Sequence, residues 1–120
     1  MILADSSVWI DHISNPIPLM EDLLEHIDLV IHPFVIGEIS CGSLRFRRKT
    51  LDFLNNLPKV TVANHDEVVE LIEKRRLMNK GIGWIDAHLL ASTILSEELL
   101  WTRDKRLRAA AISLGIHFQQ

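Results

Sequence analysis

Cysteine is nearly absent from this chain, which has one, Cys41, among 120 residues. A lone cysteine excludes a framework of internal disulfides and suits a reducing compartment, so we expect a cytoplasmic protein. No apolar run approaches the length that spans a bilayer, and the N-terminus lacks the basic flank of a signal peptide. Repeats, linkers and low-complexity segments are also missing, which predicts one domain over residues 1–120 without membrane association.

Two common kinds of functional site are missing as well. The six histidines have no Cys/His partners at the spacing of a zinc site. Gly81-Ile82-Gly83 precedes a helix without following a strand and lacks a lysine partner, so it is not a phosphate-binding loop. The formal net charge of −3 argues against a basic coat for nucleic acid, while leaving a local basic patch open.

What the sequence does contain is a regular alternation of short β-type runs and helix-type segments. The predicted strands are Ile2–Ala4, Leu29–Ile31, Val60–Val62, Leu99–Thr102 and Ile116–Phe118. Apolar residues at helical spacing fill the segments between them. This alternation predicts an α/β fold, with a parallel sheet of about five short strands and helices on both faces.

Two acidic residues directly follow predicted strands. Asp5 comes at the end of the first strand and Asp104 just after the fourth, each before a helix. The carboxyl ends of neighbouring parallel strands share one edge of a sheet, which is where α/β folds bind ligands. The alternative is that each aspartate only caps the helix after it, since Asp is a favoured cap residue.

Two further acids lie in mostly apolar stretches. Asp86 belongs to a predicted helix over Trp84–Ser96 that is apolar nearly all round, and it is the acid least like a helix cap. Glu38 falls one turn into the helix after the second strand. Because a buried carboxylate without a partner is costly, both acids are expected to meet a cation. Four converging carboxylates would raise one another's pKa values and would suit Mg²⁺ or Mn²⁺.

The most basic run of the chain is Arg45, Phe46, Arg47, Arg48 and Lys49, at the start of an amphipathic helix. Such a run is usually a solvated helix face. The alternative is contact with nucleic-acid phosphates, helped by the aromatic residue between the arginines. Lys74–Arg76 is a possible extension of this surface.

Four stretches of the chain closely resemble the four motifs of PIN-domain nucleases. They are Ile2–Ser7, Val35–Ile39, Trp84–Ala91 and Trp101–Leu107. Any one of these motifs is weak, but four in the right order over essentially the whole chain are a strong signal. The small size and the motif spacing are most similar to the toxin half of a VapBC-type toxin–antitoxin pair.

This resemblance implies an endoribonuclease that depends on Mg²⁺ or Mn²⁺ and cleaves structured RNA such as transfer or ribosomal RNA. It also implies a homodimer and an antitoxin protein that inhibits the acidic site. Asp5 and Asp86 would be the main metal ligands, and Glu38 and Asp104 would complete a catalytic quartet. Ser7 and Thr102 would support the site through hydrogen bonds.

Other functions fit the sequence less well. A phosphoacceptor receiver domain needs an aspartate after its third strand, where this chain has Ala63-Asn64. A phosphatase of the haloacid-dehalogenase type would carry aspartate where this chain has Ser7. The main alternative keeps the fold without the activity, as a PIN-like module that binds RNA or protein. Retention of four acids counts against it, since an inactive module gains nothing from their repulsion.

Overall fold

The computed structural model describes residues 1–119, so Gln120, the last residue of the predicted domain, lies outside the description. Within these residues the strands are β1 (Ile2–Ala4), β2 (Leu29–Val30) and β3 (Leu99–Trp101), all parallel, in the order β2-β1-β3. All three residues of the central strand β1 are buried. A strand covered on both faces reads as a continuous apolar run, as the first residues do.

Helices connect these strands and follow them. In the described part of the chain they are α1 (Ser6–Ser14), α2 (Pro18–Glu25), α3 (Pro33–Ser40), α4 (Arg47–Asn55), α5 (His65–Arg75), α6 (Trp84–Leu95) and α7 (Lys105–Ser113). Proline opens α2 and α3, where its missing N–H costs nothing. Asn64 and Glu67 close a capping box at the start of α5.

The predicted number of about five strands is wrong for residues 1–119, which contain three. Two of the predicted strands are replaced by isolated parallel bridges. One joins Ile31 to Lys59, just before the predicted strand Val60–Val62, and the other joins Leu100 to His117, within the predicted strand Ile116–Phe118. Beyond the first bridge, the N–H of Thr61 donates to the hydroxyl of Ser96, the C-cap residue of α6, and the N–H of Ala63 donates to the hydroxyl of Ser92 within α6. Side chains of a helix thus satisfy the backbone groups that a longer ladder would have used.

The core forms around the sheet and α6. Residues Ala87 to Thr93 of α6 are all buried, as the apolar pattern of this helix predicts. Trp9 and Trp101 are the largest fully buried side chains. Within residues 1–119 no helix combines the length and the apolar character needed to cross a membrane.

A buried histidine caps the helix that carries Glu38. The Nδ1 atom of His32 accepts the N–H of Phe34 at 2.9 Å, so the ring takes the place of the usual polar cap of α3. The His32 ring is fully buried and packs on Phe34 and His88. Burial, and secondarily the neighbouring His88, lower the pKa of His32 to about 4, which keeps the imidazole neutral.

Candidate functional site

Asp5 lies where β1 ends and α1 begins, and its carboxylate has two functions. As the N-cap of α1, its Oδ1 atom accepts the N–H of Val8 at 3.2 Å. Oδ1 also accepts the Ser7 hydroxyl, and Oδ2 accepts the hydroxyl of Thr102, each at 2.5 Å. Asp5 is therefore a helix cap and, at the same time, a side chain held by the segment that follows β3.

Ser7 and Thr102 make the same kind of connection. Each donates its hydroxyl hydrogen to Asp5 and accepts a backbone N–H, from Arg103 to Ser7 and from Asp104 to Thr102, both at 3.0 Å. The two hydroxyl oxygens are 3.5 Å apart. These bonds fix the orientation of the Asp5 carboxylate and join the carboxyl ends of the two strands.

Glu38 reaches the same edge of the sheet from α3. Its Oε1 atom accepts the hydroxyl of Ser6 at 3.1 Å. Its helix neighbours Val35 and Ile39 are buried, as the apolar stretch predicts, whereas Glu38 lies at the surface with its carboxylate only partly covered. Sequence reasoning missed Ser6. The pair Ser6-Ser7 at the start of α1 could have indicated this contact. Successive helix residues point about 100° apart, so one serine can bind Asp5 while the other binds Glu38.

Asp86 is half-buried in the first turn of α6. Its Oδ2 atom accepts the N–H of Gly83, the N-cap residue, at 3.3 Å. The predictions of deep burial and of no capping function are therefore both wrong. The reason is that α6 begins at Trp84, which makes Asp86 the third helical residue, and a side chain at this position can reach back to the cap.

Asp104 is an exposed N-cap at the start of α7. Its Oδ1 atom accepts the N–H groups of Arg106 at 3.0 Å and Leu107 at 2.9 Å. The capping interpretation is confirmed for Asp104, as it is for Asp5. Neither cap excludes a second function, because a carboxylate has more acceptor positions than these bonds use.

The four acids influence one another electrostatically. Burial raises the pKa of Asp5, against hydrogen bonds that lower it, and Asp86 raises it further. Partial burial also raises the pKa of Glu38, with added repulsion from Asp86 and Asp5. The pKa of Asp86 is raised by burial and then by Asp104. Asp86 thus interacts with each of the other three acids that the sequence singled out, and Asp5 also interacts with Glu38.

The donor set of this site fits a hard divalent cation. It offers carboxylate oxygens, which Mg²⁺ and Mn²⁺ prefer, and the repulsion that raises the pKa values would be relieved by positive charge. Within residues 1–119, no group of three or more His, Cys, Asp or Glu side chains is arranged as a ready-made metal cage. An ion held by one or two carboxylates and several waters, as is usual for Mg²⁺, is compatible with this arrangement.

The basic run at the start of α4 is divided between two roles. Arg47 donates to the carbonyl oxygens of Ser40 at 2.8 Å and Gly42 at 3.4 Å, so its guanidinium satisfies backbone groups at the end of α3. Arg45 lies 5.5 Å from the ring centre of Phe46. Arg48 and Lys49 are exposed. The charged groups that shift the pKa values of Asp5, Glu38 and Asp86 are other acids of the site, and no cation of the basic run is among them.

The model of the PIN domain family matches residues 2–113. The chain belongs to the PIN domain family. Two curated relatives, both named Ribonuclease VapC32, come from Mycobacterium tuberculosis strains CDC 1551 / Oshkosh and ATCC 25618 / H37Rv. Each is 44% identical over 117 residues, which cover 97% of this chain and 94% of the relative. The predicted resemblance to PIN-domain nucleases of the VapBC toxin type is confirmed.

A solved structure supports the fold independently. The crystal structure of PAE2754 from Pyrobaculum aerophilum superposes with a TM-score of 0.60, covering 95% of this chain and 88% of that one. The two sequences are 18% identical, so this similarity concerns the fold alone.

Proposed function

We propose that this chain is the endoribonuclease toxin of a toxin–antitoxin system and that it uses Mg²⁺ or Mn²⁺. The observation that carries the proposal is the electrostatic interaction of Asp86 with Asp5, Glu38 and Asp104, together with the raised pKa values of Asp5, Glu38 and Asp86. The name ribonuclease given to the relatives from M. tuberculosis supports the same chemistry.

Asp5 and Asp86 would hold the cation, with Glu38 and Asp104 completing the acidic set. A bound divalent cation lowers the pKa of a bound water and neutralises charge on a phosphate. The chain supplies the positioning. Ser7 and Thr102 hold the carboxylate of Asp5 in one orientation, and Ser6 directs that of Glu38. Gly83 anchors one oxygen of Asp86 through its backbone N–H.

The substrate class is structured RNA, such as transfer or ribosomal RNA. The exposed cations Arg45, Arg48 and Lys49 contribute phosphate contacts, whereas Arg47 is largely engaged with the end of α3. In the cell, the toxin acts in the cytoplasm as a homodimer. A cognate antitoxin covers the acidic site, with an arginine as the natural partner of its carboxylates.

Cleavage of RNA by the purified protein tests this function. Total cellular RNA is incubated with the protein, with and without Mg²⁺ or Mn²⁺, and new RNA ends are sequenced. We expect discrete new ends that require the cation, and losses of several orders of magnitude in Asp5→Asn and Asp86→Asn. Full activity in excess EDTA, or in either variant, would exclude the proposed site. The alternative, an inactive PIN-like module that binds RNA or protein, predicts binding without new ends.

A further inference from the structure

A cleft lined by four cations lies between the end of α5, the loop after it and α7. The lining cations are Arg75, Lys80, Lys105 and Arg106, and the cleft has a volume of about 550 Å³. Leu77, Ala109, Ala110 and Ser113 complete its lining, so no acidic side chain is among the lining residues. We call this surface the basic cleft.

The cations of the basic cleft are not neutralised within the described chain. None of the four takes part in an ion pair between residues 1 and 119, although other cations do. Lys74, next to Arg75 in sequence, pairs with Glu70, and Arg103 pairs with Asp11 at 3.0 Å. Four unpaired positive charges around one cleft repel one another, and a polyanion is the ligand that relieves this repulsion.

The basic cleft begins beside the acidic site. Lys105 and Arg106 directly follow Asp104, whose carboxylate accepts the backbone N–H of Arg106. The Arg106 side chain lies against Gly81, where an added Cβ would come within 2.5 Å of Cδ and 2.9 Å of Nε. Gly81 has a φ of +76°. It lies two residues before Gly83, whose backbone N–H donates to the carboxylate of Asp86. Glycine at position 81 therefore leaves room for this arginine next to the start of α6.

We infer that the basic cleft binds the phosphate backbone of the RNA on one side of the cleaved bond. This inference rests on the proposed nuclease function. A polyanion that approaches four carboxylates, on a chain of net charge −3, needs positive charge next to the acids. Lys and Arg contacts to phosphates supply affinity and position the strand without reading its sequence. An acidic protein segment could also pair with these cations. Its binding, however, gives no reason for the cleft to lie next to a site for a divalent cation, whereas RNA cleaved at that site does.

Salt-dependent RNA binding tests the inference. The probe is labelled bulk transfer RNA, and binding is measured by fluorescence anisotropy between about 50 and 200 mM KCl. All proteins carry Asp86→Asn so that the RNA stays intact. The cleft variant is Lys80→Glu/Lys105→Glu, and the matched control, with the same change of charge, is Lys59→Glu/Lys74→Glu. All four positions are exposed, and circular dichroism verifies that each variant is folded.

We expect the cleft variant to bind at least tenfold more weakly and to reduce the slope of log affinity against log salt by about one to two units. The control should change that slope less. An unchanged slope in the cleft variant, or equal reductions in both variants, would overturn the inference. It would also be overturned if the cleft variant kept RNA binding but lost binding of labelled polyglutamate. Cleavage by the protein with Asp86 intact tests the nuclease function separately, so the two failures are distinguishable.

Discussion

Thr102 donates its hydroxyl hydrogen to the Oδ2 atom of Asp5 across 97 positions of the sequence. The same hydroxyl accepts the backbone N–H of Asp104 at 3.0 Å. The Thr102 side chain thus orients the carboxylate of Asp5, the most buried of the four acids, and also binds the backbone of Asp104. Residues that orient metal ligands in this way often matter nearly as much as the ligands themselves.

The first prediction concerns this hydroxyl. Thr102→Val removes the donor and keeps the shape, so Asp5 loses one of the bonds that favour its charged form and its pKa rises further. We expect RNA cleavage to fall about 10- to 100-fold, and the pH dependence of cleavage to shift upward. Thr102→Ser keeps the donor and should stay close to the wild type. Equal activity of the valine and serine variants would show that the hydroxyl has no function in the site.

The second prediction concerns the stability cost of the acids in the absence of a cation. The pKa of Asp86 is raised by burial and by Asp104, so the folded state binds a proton more readily than the unfolded state. Its contribution to stability is therefore full below the unfolded pKa and is lost as the pH rises through the folded pKa. Asp86→Asn should raise the melting temperature at pH 7 by a few degrees, where about 1 kcal/mol corresponds to about 4–8 °C.

Two measurements verify the cause of that shift. At pH 3, below the unfolded pKa of Asp86, the advantage of Asp86→Asn should vanish. Adding Mg²⁺ at pH 7 should stabilise the wild type more than the variant, because a ligand that binds only the folded state shifts the equilibrium. Equal stabilisation of both proteins by Mg²⁺ would remove Asp86 from the set of ligands.

The third prediction concerns His32, whose pKa is lowered to about 4 by burial. The neutral ring stabilises the fold above pH 6.5, and this contribution is lost as the pH falls from 6.5 towards 4, up to about 3 kcal/mol. His32→Asn keeps a cap acceptor but cannot titrate. Denaturant unfolding at several pH values should show a less stable variant at pH 8 and a difference that shrinks towards pH 4. His65→Asn, at an exposed position, is the control, and a constant difference for His32→Asn would contradict the explanation.

The fourth prediction separates structure from RNA contact within the basic run. Arg47→Ala should lower the free energy of unfolding by about 1 kcal/mol, because the backbone oxygens of Ser40 and Gly42 lose their donor. Arg48→Ala should leave stability unchanged within about 0.5 kcal/mol, since Arg48 is exposed. Urea denaturation of both variants tests this difference. Equal stabilities would mean that the Arg47 bonds contribute nothing.

The fifth prediction concerns the antitoxin. A small gene adjacent to this one should encode a protein that binds over the acidic site and places an arginine against its carboxylates. Co-expression should restore growth and yield a complex that co-purifies. Replacing that arginine by alanine should weaken the inhibition of RNA cleavage. Absence of both rescue and co-purification would reject this partner.

The sequence predicts the positions of two of the acids because parallel strands align their carboxyl ends. Asp5 and Asp104 could be placed at one edge from two strand-to-helix boundaries alone. The single bridges at Lys59 and His117 could not be distinguished from strands, since a β-type run does not show which backbone groups a neighbouring helix will satisfy. The partners of Glu38 and Asp86 depend on helix rotation, which a short apolar pattern does not fix.

Sequence reasoning named only Arg75 of the four cations of the basic cleft, within Lys74–Arg76, and it missed the cleft itself for a different reason. Its cations come from α5, from the loop after it and from α7, and only the packing of these segments brings them together. A local count of charge favours Arg45–Lys49 instead, where the cations are adjacent in sequence. One of those cations, Arg47, is largely engaged with backbone oxygens.

The order of the strands also determines when the site can exist during synthesis. The central strand β1 leaves the ribosome before both of its neighbours, and one of them, β3, begins only at Leu99. Asp5 gains its bond from Thr102 later still, and Asp104 is the last of the four acids to be translated. A nascent chain therefore carries an unassembled site until residue 104 has been translated. Fragments released before residue 104 would lack nuclease activity, so an interrupted synthesis would leave the cell's RNA unharmed.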